Sequence, residues 1–111
     1  MPVPFHLKEW PVPTGVTSID GYAFQNCSAL TEVTLPEGIP YISTSCFSGC
    51  SSLKEIVIPK GVAKINDYAF YGCSGMEKIW IGESVTAIGE NSFTNCTLLT
   101  IHGIAGSYAE T

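Results

Sequence analysis

The chain has 111 residues, 45% of them hydrophobic and 14% charged, with five lysines, no arginine, ten acidic residues and a formal net charge of −5. That length holds one modest core, and the apolar and aromatic content argues against a disordered segment. The acidity leaves no electrostatic footprint for nucleic acid or an anionic membrane, no apolar run approaches the roughly eighteen residues of a membrane span, and the Met1-Pro2-Val3-Pro4-Phe5 start lacks the marks of an export signal.

In chain order, the first readable element is Leu7-Lys8-Glu9-Trp10-Pro11-Val12-Pro13, which aligns with Leu53-Lys54-Glu55-Ile56-Val57-Ile58-Pro59. Residues 1–12 are therefore expected to be the end of a preceding coil or a cap strand. From there the sequence repeats at an offset of 23, in blocks 13–35, 36–58, 59–81 and 82–104. Five apolar columns carry the repeat: Val16, Ile39, Val62, Val85; Ile19, Ile42, Ile65, Ile88; Phe24, Phe47, Phe70, Phe93; Cys27, Cys50, Cys73, Cys96; and Leu30, Leu53, Met76, Leu99. A fixed period of this length means a solenoid in which each repeat is one coil.

Within each coil, Glu32-Val33-Thr34-Leu35, Glu55-Ile56-Val57-Ile58 and Lys78-Ile79-Trp80-Ile81 alternate in the manner of half-buried strands. Pro36 and Pro59 end two of them, because proline has no amide hydrogen to continue a ladder, and Gly15, Gly38 and Gly61 supply turns. Tyr22-Ala23-Phe24 and Tyr68-Ala69-Phe70 are too short for a regular helix and suit a single helical or 3₁₀ turn on the outer side. The fourth coil reads as short by two residues and ends on Leu99-Thr100-Ile101-His102-Gly103, and residues 105–111 read as the start of a truncated cap. Both ends are expected to be cuts through a longer molecule.

The pattern Ile-x-x-x-Ala-Phe-x-x-Cys-Ser-x-Leu-x-x-Ile-x-Ile-Pro, seen from Ile19 to Pro36 and Ile65 to Ile81, resembles the leucine-rich repeat of the BspA-like bacterial surface protein family. In the second coil Cys46-Phe47 stands in place of Ala-Phe. The resemblance implies an α/β-type solenoid: a right-handed leucine-rich-repeat coil with parallel strands on the concave face and short helical or 3₁₀ turns on the convex face. It also implies a secreted or surface-anchored protein that attaches to host matrix proteins, host cells or other bacteria. It brings no catalytic activity, no cofactor and no site motif.

Cysteine is the first candidate for chemistry. Five cysteines, four of them at the coil period, would stack at roughly the 5 Å inter-strand spacing, inside the Cα range of a disulfide. Side chains of one column point the same way, however, so a column of buried thiols weakly bonding loop backbone is the better reading. Disulfides and a metal site at Cys46-x-x-x-Cys50 are the lesser alternatives. His6 and His102 lie at opposite ends with no nucleophile spaced for pairing, the acids are scattered, and Gly82-Glu83-Ser84-Val85 is no phosphate loop. Asn26-Cys27-Ser28 and Asn95-Cys96-Thr97 match the glycosylation triplet by coincidence, since each cysteine belongs to a core column.

The outward strand positions hold the candidate ligand-binding residues. Side chains alternate along a strand, so the inner column is Thr34, Val57, Trp80 and His102. Beside it runs Glu32, Glu55, Lys78, Thr100, and beside that Thr31, Lys54, Glu77. An indole on an open sheet face is a common anchor for protein or sugar; alternatively Trp80 packs on Val57 and His102 and only shields the sheet. The expectation is a non-enzymatic protein-interaction module, with glycan recognition through Trp80 or a structural stalk as alternatives. The exposed strand edges at the two ends also invite end-to-end self-association.

Overall fold

The structure, a computed structural model, describes residues 9–11 and 15–103. The cap-strand reading of residues 1–12 falls largely outside these residues, and the cap reading of 105–111 wholly so. Eight short strands form: β1 (Glu9–Pro11), β2 (Glu32–Thr34), β3 (Tyr41–Ile42), β4 (Glu55–Val57), β5 (Lys64–Ile65), β6 (Lys78–Ile81), β7 (Ala87–Ile88) and β8 (Thr100–Gly103). They make two parallel sheets, one in the order β1-β2-β4-β6-β8 and one in the order β3-β5-β7. Successive neighbours in each sheet are one coil apart in sequence, as a parallel-strand β-solenoid requires.

The sequence period explains the register. Residues 23 apart face each other across neighbouring strands, as in Trp10 with Val33, Glu32 with Glu55 and Val57 with Trp80. The last step differs: Lys78 faces Thr100 and Trp80 faces His102, an offset of 22. Leu99 still answers Met76 in the core, so the fourth coil drops a single residue before its strand, not two. In β2, β4 and β6 the inner face is buried and the outer face largely exposed, with Val33, Ile56 and Ile79 inside, whereas Ile101 of β8 stays partly exposed. Every member of the five apolar columns lies in the core or packs against it. The Phe rings stack along the axis at 4.9, 5.3 and 5.7 Å between centroids, nearly parallel.

The expected helical or 3₁₀ turns are not formed among the described residues. Each convex segment is a run of hydrogen-bonded turns in which alternate amides point in different directions. The amides of Tyr22, Phe24 and Asn26 donate to Thr44, Cys46 and Ser48 of the next coil, whereas those of Ala23, Gln25 and Cys27 donate three residues back, to Asp20, Tyr22 and Phe24. The same alternation recurs at Ser45, Phe47 and Gly49 and at Tyr68, Phe70 and Gly72. It is achieved by left-handed backbone at Tyr22, Ser45, Tyr68 and Asn91, and four residues later at Asn26, Gly49, Gly72 and Asn95. A continuous helix cannot contain such residues every fourth position, and the backbone groups find partners along the stack instead.

The second sheet was not foreseen from the strand patterns. Its strands are two residues each and coincide with the Ile42, Ile65, Ile88 column. The turns after the main strands follow the expectation, with positive φ at Gly15, Gly38 and Gly61.

Candidate binding surface

The five-stranded sheet leaves one face open, and this face is the floor of a groove of about 1350 Å³. The expected columns are brought together as read from the sequence. Glu55, Lys78 and Thr100 are in register, and so are Val57, Trp80 and His102. Thr34 sits at the equivalent point of β2, two residues after Glu32, which faces Glu55. All eight candidate residues, Thr34, Lys54, Glu55, Val57, Glu77, Lys78, Trp80 and His102, line the groove. The third column is tied by main-chain bonds: Lys54 N donates to Thr31 O, Glu77 N to Lys54 O and Thr100 N to Glu77 O. A fourth column, Glu37, Lys60 and Glu83, forms the opposite margin and was missed. Its signal was present as charge at the 23-residue period just beyond each strand.

The centre of the groove is apolar and solvent-facing. Val57 keeps 60% of its surface exposed and Trp80 41%. The His102 ring lies 4.4 Å from that of Trp80, inclined by 24°, so it covers one face of the indole. This is the contact half of the packing reading, yet it leaves much of Trp80 open. A large apolar side chain held in place by a neighbour, at the middle of a concave charged surface, can accept a partner side chain with little ordering of its own.

The cysteines are core groups. All five are free, and four of them are buried. The Sγ–H groups of Cys50, Cys73 and Cys96 donate to the carbonyls of Phe24, Phe47 and Phe70 at 3.0–3.1 Å, tying each coil to the one before. Burial pushes the Cys46 and Cys50 thiols up to about 12 and raises Cys27 as well. Contact with Cys96, then burial, pushes Cys73 up, and the same contact lowers the half-buried Cys96. A buried protonated thiol is neither a nucleophile nor a metal ligand. Among the described residues no group of three or more histidine, cysteine or acidic side chains is placed to hold a metal ion. Asn26 and Asn95 are exposed at left-handed turn positions, while Cys27 faces the core. His6 lies outside the described residues.

Stacked parallel strands, an axial apolar ladder and an open sheet lined by non-repeating side chains define a leucine-rich-repeat protein. The family model described as "BspA type Leucine rich repeat region (6 copies)" matches residues 5–108, and the chain belongs to that family. A leucine-rich cell surface protein from Faecalibacterium prausnitzii is 33% identical with a TM-score of 0.81, the match covering 98% of this chain and 35% of that one. A leucine-rich repeat protein from Bacteroides ovatus is 34% identical with a TM-score of 0.80, over 88% of this chain and 25% of that one. The chain thus spans about a third or less of the length of these relatives. The T. pallidum leucine-rich repeat protein, at 23% identity, 0.71 and coverage of 85% and 57%, shares the fold. No protein of curated function matches the chain. Leucine-rich repeats are in general protein-interaction scaffolds and in general not enzymes. Among the described residues no helix is long and apolar enough to cross a membrane.

Proposed function

We propose that this chain is a non-enzymatic interaction module whose concave face binds a protein, as part of a larger bacterial surface protein that adheres to host matrix or cell-surface proteins. The observation that carries the reading is the half-exposed Trp80 beside Val57 at the centre of the groove, braced by His102. Aromatic anchors surrounded by polar margins dominate binding energy in protein interfaces. Extracellular or surface location rests on the family and on the cell-surface protein from Faecalibacterium prausnitzii that this chain resembles.

Glycan recognition is less favoured, because His102 covers one indole face and leaves a sugar ring only the face toward Val57. End-to-end self-association has support in β8, the last strand in the sheet order among the described residues, with Ile101 partly exposed, and light scattering at high concentration tests it.

The function is tested by measuring binding of the chain and its Trp80→Ala variant to a panel of host matrix proteins and mucin glycans. Binding to a protein that the substitution weakens supports the reading. Binding that ignores the substitution moves the site off the concave face, and competition by free sugar favours the glycan. Silence across the panel from a folded chain favours a structural spacer.

A further inference from the structure

The groove carries charge in an order that the fold itself does not call for. In the column Glu9, Glu32, Glu55, three glutamates occupy successive registered positions on parallel strands. Like charges directly opposite one another destabilise a sheet, and Glu32 and Glu55 are both exposed. On the first coil of the groove a further acid, Glu37, stands on the other side of Thr34, and that coil adds no lysine to the lining. The lysines begin one coil later, with Lys54 and Lys60 on either side of Val57, and then Lys78 next to the Trp80 strand position. Glu55, Glu77 and Glu83 also line the later coils, where Lys54, Lys60 and Lys78 accompany them, so the Thr34 end is the part of the lining with carboxylates and no lysine, next to the apolar Val57–Trp80 centre. Glu55 faces Lys78 on its other side, whereas Glu32 faces a glutamate in register on both neighbouring strands, a local conflict of the kind found at functional surfaces.

We infer that the groove takes an extended peptide segment carrying a lysine or arginine for Glu32 and Glu37 and a bulky apolar side chain for Val57 and Trp80, the two anchors three residues apart in the peptide. The inference rests on the protein-binding reading of the concave face and names the chemistry of the partner. The spacing follows from the fold. Thr34 and Trp80 are two strand steps apart, about 10 Å at the ordinary inter-strand distance, and a chain in the extended polyproline-II form, with three residues per turn and a rise of roughly 3.1 Å per residue, puts side chains three apart on one face across that distance. A peptide lying along the stack crosses the strands and gains no ladder hydrogen bonds from them. Recognition is then by side chains, the apolar anchor giving most of the affinity and the charge giving discrimination between partners.

The test uses short fluorescein-labelled peptides of proline and polar residues, with one arginine and one phenylalanine separated by two residues, in both orders. Controls replace the arginine by glutamate, replace the phenylalanine by serine, or place the two side by side. The expected result is tightest binding of the arginine–phenylalanine peptides. The Glu32→Lys/Glu37→Lys variant, changed only at exposed positions and checked for folding by circular dichroism, weakens that binding about tenfold at low salt and turns the preference toward the glutamate control. The loss shrinks at high salt. Binding that requires the phenylalanine but ignores the sign of the charge overturns the inference and leaves the concave face as a protein site. Binding by no peptide also overturns it. The matrix-protein panel, run on the same preparation with Trp80→Ala, shows separately whether the wider reading falls too.

Discussion

Phe47 is the residue whose loss should most clearly expose how this solenoid is held together. It is fully buried, and its ring lies between Phe24 at 4.9 Å and Phe70 at 5.3 Å, inclined by 13° and 3°. Truncating a buried phenylalanine to alanine costs about 3–5 kcal/mol, and stacked aromatic pairs add about 0.5–1.5 kcal/mol each beyond area. With two stacks lost and no solvent access to relieve the cavity, Phe47→Ala belongs at about 4–5 kcal/mol. Phe93 is only partly buried and among the described residues has one ring partner, Phe70 at 5.7 Å, which places Phe93→Ala at about 2–3 kcal/mol. Each coil of a solenoid touches only its neighbours, so the first substitution weakens two coil interfaces and the second mainly one. Urea unfolding followed by far-ultraviolet circular dichroism reads the difference. With a slope of about 2 kcal/mol per molar, the midpoint falls by about 2 M for Phe47→Ala and about 1 M for Phe93→Ala. Equal shifts, or a Phe47→Ala shift below about 0.5 M, would refute the idea that the axial ladder carries coil-to-coil coupling.

Other outcomes follow from the same geometry. A thiol reagent applied to the native protein should modify Cys96 first, with Cys27, Cys46, Cys50 and Cys73 reacting only on unfolding, as mass spectrometry of the labelled chain would show. Burial raises Cys46 and Cys50 from 9.0 to about 12, so their stabilising contribution is whole below pH 9 and is lost as pH rises toward 12. The fall approaches about 1.4 kcal/mol per pH unit for each thiol, and Cys50→Ala should flatten the alkaline limb of a urea-midpoint profile. At Gly89 an added Cβ would come within 2.6 Å of the Asp67 amide nitrogen and 2.9 Å of the Asn66 carbonyl carbon, so Gly89→Ala should lower stability by about 1–3 kcal/mol in the same urea assay. Trp80→Ala should change stability by less than about 1 kcal/mol, because the side chain is half exposed, while removing the binding that the groove provides.

Most of the architecture could be read from the chain because the apolar columns repeat in identity as well as in position. Four phenylalanines 23 residues apart can be satisfied only by stacking, and the structure stacks them. The concave columns were legible for the same reason, down to the placement of His102 against Trp80, since period-2 alternation fixes which residues face out once the inner ones are known. The convex turns were not legible. Tyr22-Ala23-Phe24 has nothing in its composition that announces positive φ at Tyr22, an aromatic residue that ordinarily avoids it. That conformation is imposed from outside, by the carbonyls of Thr44, Cys46 and Ser48 in the next coil, which claim every second amide. The two-residue strands of the smaller sheet escaped for a related reason: nothing shorter than about four residues shows a period.

The same contrast separates what builds the molecule from what it can recognise. Columns that hold one kind of residue through all coils, such as the phenylalanines and the Val and Ile columns, answer a demand that every coil makes equally. The open column Thr34, Val57, Trp80, His102 faces solvent, so the coil accepts any of these side chains at little cost, and the fold cannot be the reason they differ. The column Glu32, Glu55, Lys78 goes further, since placing Glu32 opposite Glu55 works against the sheet. A repeat that is uniform inside and irregular on one face carries its specificity in the irregularity. Exchanging the outward residues of two coils, Thr34→Val with Val57→Thr, should therefore leave urea stability within about 0.5 kcal/mol while splitting the apolar centre of the groove, with a threonine between the valine and Trp80. A ligand that still bound with unchanged affinity would show that the order of these side chains carries no information.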